Sequence, residues 1–268
     1  MRASMSVMAT EAKKSLGQHW LHDSLSLEAM CVAADIQQGD TVLEIGPGTG
    51  ELTEKLLNYG AHVIALEIDE RLHDELRQRF RQQSSFQLVA GDIRTYDLTQ
   101  LPTSYKIAAN IPYYLTSHLL RILSESPHPP DRAALLVQKE VAERVVADPG
   151  DMSLLSVTMQ FYWQVSLGAV VPKSLFVPPP KVDSQVLVLE RRTEPLFAVD
   201  VQLFFRLVKA GYSARRKKLR SSLAGGLCLG KPAVEQLLKS VDISADVRAQ
   251  ELSLEQWHQL YRVWQKTI

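Results

Sequence analysis

Apolar and polar positions along the first 190 residues fall into two alternating periods. Short runs rich in β-branched and aliphatic residues at 41–46, 62–68, 86–90, 106–109 and 133–137 have the length and make-up of strands. Between them, 51–59, 70–82 and 117–124 space their apolar residues three and four apart, as helices do when they bury one face. Residues 139–147 and most of 153–162 also read as helical, and 163–171 and 184–189 as strands. Strands alternating with helices predict a parallel sheet covered on both faces. The last two strands are joined by a segment too short for a helical crossover, so at least one of them is expected to run antiparallel. Past Arg192 the strand signal stops, and helices are expected at 201–212, 214–227, 233–241 and 254–266. The pattern thus predicts an α/β chain: an N-terminal tail at 1–23, a Rossmann-like doubly wound, mostly parallel sheet at 24–192, and a smaller all-α domain at 193–268.

Composition changes this picture little. The chain has 268 residues, of which 46% are hydrophobic and 22% charged, as in ordinary globular proteins. No apolar run approaches the roughly 18 residues that span a bilayer, and the first residues lack the apolar core of a secretory signal. Two distant cysteines, Cys31 and Cys228, in apolar settings read as buried free thiols suited to a reducing cytoplasm. Charge is more informative. Residues 1–190 carry 16 Lys and Arg against 23 Asp and Glu, whereas 191–268 carry 14 against 7. Seven basic residues and no acidic one lie between Arg206 and Arg220. That asymmetry points to a polyanion, nucleic acid, handled by the C-terminal part.

The candidate chemistry sits at the ends of the expected strands. Glu44-Ile45-Gly46-Pro47-Gly48-Thr49-Gly50 closes the first, where doubly wound sheets bind ligands. Its G-x-G-x-G spacing differs from the G-x-G-x-x-G of a dinucleotide pyrophosphate site, and no phosphate-loop Lys follows. Glu67 ends the second strand, where an acid can hold two ribose hydroxyls, and Asp92 ends the third, where it can accept from an adenine amine. Asn110-Ile111-Pro112-Tyr113 ends the fourth. An exocyclic adenine amine is a weak nucleophile because its lone pair is conjugated with the ring. A side-chain amide and a backbone carbonyl at Ile111 or Pro112 would draw that pair toward an electrophile, and Tyr113 would stack on an unstacked base. Together these motifs imply S-adenosylmethionine and methyl transfer to a base amine. Phe176-Val177-Pro178-Pro179-Pro180-Lys181-Val182-Asp183-Ser184 is a stiff link that could hold Phe176 as a second wall for the base and Lys181 toward RNA. The seven histidines do not group with cysteines at metal-ligand spacing, and no metal is expected.

These residues resemble the small-subunit ribosomal RNA adenine N6-dimethyltransferases. The resemblance also covers Leu16-Gly17-Gln18-His19-Trp20-Leu21, similar to that family's Gly-Gln-Asn-Phe-Leu segment. It extends to Val137-Gln138-Lys139-Glu140-Val141 and to Tyr212-Ser213-Ala214-Arg215-Arg216-Lys217-Lys218-Leu219. It implies a class I methyltransferase domain that dimethylates two adjacent adenines in a hairpin loop near the 3′ end of small-subunit RNA. It further implies that the N-terminal segment is a lid over the cofactor, and that His19, Leu21, Gly46, Glu67, Asp92 and Asn110 bind it, with Gly48, Ile68 and Ile93 at the same strand ends. Arg215, Arg216, Lys217, Lys218 and Arg220 are expected to grip RNA, and the partner to be the immature small subunit, met by a monomer. Two departures from the family pattern matter: His19 stands for Asn, and Ile111 for Leu. Ile at that position is familiar in large-subunit adenine methyltransferases that confer macrolide resistance, the nearest rival. The residues also admit an assembly factor in which binding outweighs catalysis, or a small-molecule methyltransferase. The basic helical part disfavours the latter.

Overall fold

The computed structural model describes residues 12, 13, 16–194, 196–214 and 216–267. Its strands are β1 (Trp20–Leu21), β2 (Thr41–Ile45), β3 (His62–Glu67), β4 (Phe86–Ala90), β5 (Lys106–Asn110), β6 (Arg132–Gln138), β7 (Trp163–Val171), β8 (Phe176–Val177) and β9 (Ser184–Arg191). The helices are α1 (Ser24–Ala33), α2 (Glu51–Asn58), α3 (His73–Arg79), α4 (Thr116–Glu125), α5 (Lys139–Val145), α6 (Leu154–Tyr162), α7 (Val201–Tyr212), α8 (Leu219–Leu227), α9 (Lys231–Ser240) and α10 (Leu254–Trp264). Seven strands make one sheet in the order β4-β3-β2-β5-β6-β9-β7. β2 to β6 pair in parallel, and β9 runs antiparallel to β6, so at least one of the last two strands is antiparallel as the short link between them predicts.

Successive residues of a strand face opposite sides, and here both sides are buried. Val42, Val63, Ala108 and Leu136 share one cluster with Met30 and Cys31 of α1 and with Leu52 and Leu56 of α2. The alternate positions Leu43, Ile107 and Leu135 are fully buried on the other side. This explains why the strands read as continuous apolar runs. α1 lies in a stretch to which the hydrophobic pattern assigned no element. Leu25 is 81% and Val32 64% exposed, which blurs the one-faced spacing, while Asp23 caps the helix by accepting from Ser26 N at 2.8 Å.

The chain divides into two compact units. One holds the described residues through Ala142 together with Ser166–Arg191, the other Glu143–Val165 together with Arg192 onward. The second unit therefore takes in a stretch that the sequence pattern placed with the sheet. The reason is packing: α6 sends Val157 and Phe161 into the helical core, where Phe161 stacks on Phe204 at 5.1 Å. Trp257, Trp264 and Leu207 complete that core, and α6 and α10 each begin with a capping box, at Ser153 and Ser253. Of the two cysteines, Cys31 is buried as expected, and burial pushes its thiol up to about 12. Cys228 is instead exposed, because it ends α8 in the left-handed conformation (φ 56°) rather than facing the core.

α8 crosses α7 at very close range. A Cβ added at Gly226 would stand 2.6 Å from the Ala210 Cβ and 2.7 Å from its Cα, whereas one at Gly225 would meet nothing within 4 Å. Gly226→Ala is therefore expected to destabilise the protein by about 1–3 kcal/mol through overpacking. Gly225→Ala should be neutral or stabilising by up to about 1 kcal/mol through helix propensity. Urea unfolding of both variants checks the contrast.

Candidate active site

The strand order reverses between β2 and β5, and a crevice opens beyond the carboxyl ends of strands at such a point. The cleft there measures about 1040 Å³, counting space open to solvent. Every residue that the sequence assigned to cofactor binding lines it: His19, Leu21, Gly46, Gly48, Glu67, Ile68, Asp92, Ile93 and Asn110. So do Ile111, Pro112, Tyr113 and Phe176, assigned to catalysis.

The glycine loop is positioned by a buried acid. Glu67 is 3% exposed; its Oε2 accepts from Gly48 N at 3.2 Å and its Oε1 from Asp69 N at 2.8 Å. Burial pushes its carboxyl above the ordinary range, against the pull of those two donors. The loop ends at Gly50, the first cap of α2, with φ 91° and a position where a Cβ would lie 2.8 Å from the Phe80 ring. Only glycine meets both demands. Asp92, at the next strand end, stays below the ordinary carboxylate range because the Arg94 guanidinium donates to it at 2.5 and 2.8 Å.

At the end of β5, Asn110 Nδ2 donates to the His19 carbonyl at 3.1 Å. The His19 ring stacks on Tyr113 with centroids 5.9 Å apart, and its Nδ1 lies 2.7 Å from the Pro178 carbonyl. A carbonyl can only accept, so Nδ1 carries the hydrogen. The Tyr113 hydroxyl pairs with Ser184 Oγ at 2.8 Å, and burial raises its phenol. Phe176 lines the cleft but is 2% exposed, since β8 pairs antiparallel with β1 and sets Phe176 opposite Leu21. Tyr114 also lines the cleft and is 57% exposed. Three contributors escaped the sequence reading: Trp20, which rests on Gly48; Gln18, whose Nε2 donates to Asp69 at 2.9 Å; and Ser184. Their signal was present in the segments at 16–21 and 176–184, but their partners are 28 to 71 positions away.

None of the described residues expected to meet RNA is among those that line the cleft. Lys181 is exposed, and Arg215 lies outside the described residues. The helix expected over 214–227 begins only at Leu219, whose N–H donates to the Val247 carbonyl at 2.7 Å. Arg216, Lys217 and Lys218 therefore sit on the exposed turn before α8 rather than on a helix face. Lys218 pairs with Asp246 at 2.8 Å, and Arg220 with Glu235 at 2.9 Å. Among the described residues no helix is long and apolar enough to cross a membrane, and no group of three His, Cys, Asp or Glu could hold a metal.

A seven-stranded sheet of this order, with an acid-lined cleft at its switch point, defines a class I methyltransferase. The chain belongs to the ribosomal RNA adenine dimethylase family, whose model matches residues 9–266. It is 41% identical over 254 residues to a ribosomal RNA small subunit methyltransferase A of Dehalococcoides mccartyi, covering 93% of this chain and 87% of that relative. Among solved structures it is similar to a dimethyladenosine transferase from Plasmodium falciparum, with 27% identity and a TM-score of 0.79 over 92% of this chain and 98% of that one. It is also similar to the 23S rRNA methyltransferase ErmE, with 27% identity and a TM-score of 0.77 over 91% of this chain and 98% of that one.

Glu44 supplies a pH test of the cleft. It is 1% exposed, accepts from Thr53 Oγ1 at 2.6 Å, and burial pushes its carboxyl from 4.5 up to about 8. Between those values the folded protein holds a proton that the unfolded chain releases, so this group makes stability fall as pH rises from about 4.5 to about 8. Its contribution is at most about 1.4 kcal/mol per pH unit. Glu44→Gln should flatten the fall in unfolding free energy across that window and leave it unchanged below it, as read by denaturation at a series of pH values.

Proposed function

We propose that this chain transfers methyl groups from S-adenosylmethionine to the N6 amines of two adjacent adenines in a hairpin loop near the 3′ end of small-subunit ribosomal RNA. The observation that carries this reading is the placement of Asn110-Ile111-Pro112-Tyr113 in one cleft with Glu67 and Asp92, in a member of the ribosomal RNA adenine dimethylase family. The small-subunit substrate is favoured over the large-subunit one by the identity to ribosomal RNA small subunit methyltransferase A.

The cleft suits that cofactor. Two acids stand at successive strand ends, where ribose hydroxyls and an adenine amine need acceptors. Among the described lining residues there is no Lys or Arg of the kind a pyrophosphate would use. The cofactor's sulfonium supplies a methyl group already activated for displacement. The protein then has mainly to position and polarise the amine. Asn110 gives its N–H to His19, which fixes the amide and leaves Oδ1 to accept an N6 hydrogen. The Pro112 carbonyl already accepts from Leu115 N at 2.9 Å, so the Ile111 carbonyl takes the second hydrogen. The base is held against Tyr113, whose ring is set by Ser184, with Phe176 as the second wall. A base reaches this cleft only when flipped out of its stack. In this reading the enzyme acts as a monomer, in the cytoplasm, on an immature small subunit whose loop is still accessible. RNA is gripped by Lys181 and by the basic residues Arg215, Arg216, Lys217, Lys218 and Arg220.

The direct test supplies labelled S-adenosylmethionine to immature small subunits and, separately, to large-subunit RNA, followed by nucleoside analysis. N6,N6-dimethyladenosine in the small-subunit RNA alone is expected; product in the large-subunit RNA would replace this reading with the resistance-type one. Binding of cofactor without transfer to either would favour an assembly factor. Asn110→Ala should lower kcat by about 10²–10³-fold and change cofactor affinity only a few-fold. A large loss of affinity would instead move Asn110 into binding. For RNA, Arg216 and Lys217 have no carboxylate within 4 Å among the described residues, whereas Lys218 and Arg220 do. Charge reversal at Arg216 and Lys217 should therefore reduce the slope of log affinity against log salt by about 0.7–0.9 per residue. The same change at Lys218 and Arg220 should reduce it less.

A further inference from the structure

Four acidic side chains line the cleft, Glu44, Glu51, Glu67 and Asp92. The cofactor that Glu67 and Asp92 suit carries a carboxylate at its amino-acid end, and a carboxylate needs N–H or O–H donors. Most polar side chains of the lining are already engaged. Gln18 donates to Asp69, Asn110 to the His19 carbonyl and Thr49 to Glu51, while the Tyr113 hydroxyl pairs with Ser184. Trp20 is different. Its Nε1 is buried and has no partner, although indole has a single donor and a buried donor left unmade is costly.

The indole is also in the right place. Its Cδ1 and Nε1 lie 3.3 and 3.4 Å from where a Cβ on Gly48 would stand, so it rests on the glycine loop. α2 starts directly after that loop, and its cap, Gly50, has no side chain to satisfy the first-turn amides. Two sets of unsatisfied donors, the indole N–H and the helix start, therefore adjoin the same loop. Trp163 and Trp257 also have unpartnered Nε1 atoms, but they are 1% and 0% exposed and do not line the cleft.

We infer that the Trp20 indole N–H donates to the carboxylate of S-adenosylmethionine and positions its amino-acid end over the glycine loop. This rests on the assignment of the cleft to that cofactor. The ribose hydroxyls and the adenine amine are themselves donors and are served by Glu67 and Asp92. The carboxylate is the cofactor's one anionic group, and Trp20 is a lining side chain whose only donor is buried without a protein acceptor, unlike the solvent-exposed Tyr114.

The test compares two ligands in the intact protein. S-adenosylhomocysteine keeps the amino-acid end, whereas 5′-methylthioadenosine carries a methyl group in its place. By calorimetry, Trp20→Phe should weaken S-adenosylhomocysteine roughly 10- to 100-fold, as expected for one hydrogen bond to a charged group. It should leave 5′-methylthioadenosine within about twofold. In the wild-type protein, the indole ¹⁵N–¹H resonance that disappears in the variant should shift with S-adenosylhomocysteine and stay in place with 5′-methylthioadenosine. The resonances of Trp163 and Trp257 serve as fixed references. Equal weakening of both ligands would make Trp20 only a wall of the cleft, and unchanged affinity for S-adenosylhomocysteine would remove it from binding; either overturns the inference. Failure of the wild-type protein to bind either ligand would overturn the cofactor assignment itself, and the inference with it.

Discussion

The cleft depends on one buried carboxyl. Glu67 ends β3, yet its two oxygens hold the backbone of two loops, taking Gly48 N–H from the one after β2 and Asp69 N–H from its own. Its backbone carbonyl lies 3.1 Å from His73 Nε2, which ties the start of α3 to the same point. Burying an acid this far is costly, as the upward push on its carboxyl records. The return is geometric: the glycine loop, which has few side chains to anchor it, is fixed relative to the neighbouring strand end. Without that anchor, Gly50 would not be held against the Phe80 ring, nor Gly48 beneath Trp20.

A second layer closes on this foundation from the N-terminal side. β1 pairs with β8, so Trp20 and Leu21 stand opposite Val177 and Phe176. Gln18 reaches Asp69, whose carboxyl is held down to about 2 by Arg71 and Gln18, and which is itself anchored by Glu67. His19 contacts Asn110 through its carbonyl, Tyr113 through its ring and Pro178 through Nδ1. One short segment thus touches both the residue proposed to hold the amine and the residue proposed to stack on the base. The proposed cofactor and base sites share this segment, so a change at His19 is expected to register in both.

Much of this was legible in the sequence, for identifiable reasons. The strand ends could be placed because β2 to β6 are buried on both faces and announce themselves as apolar runs, and ligand-bearing edges follow from parallel topology. What escaped depends on distant partners. Nothing local marks β1 and β8 as a pair, because each has two residues and their register joins positions more than 150 apart. The stretch 143–165 reads as helical segments leading into one more strand of the sheet, and the packing of Val157 and Phe161 into the helical core assigns it to the second unit. The basic run after Arg206 contains no acid, so it read as free positive charge. The fold returns Glu235 and Asp246 to Arg220 and Lys218 and reduces what is available.

The same distinction governs the acids of the cleft, where a count of carboxyl groups is not a count of charges. Glu44 and Glu67 are deeply buried and both are pushed upward, Glu44 to about 8. At neutral pH Glu44 is therefore largely a neutral, hydrogen-bonded part of the sheet beside Thr53. Asp92 is more open and is held ionised by Arg94. Its position at the rim of the third parallel strand, not its residue type, leaves it a full charge. Three acids at successive strand ends look equivalent in the sequence. Burial and one arginine separate them into a structural carboxyl, a loop anchor and an ionised acceptor.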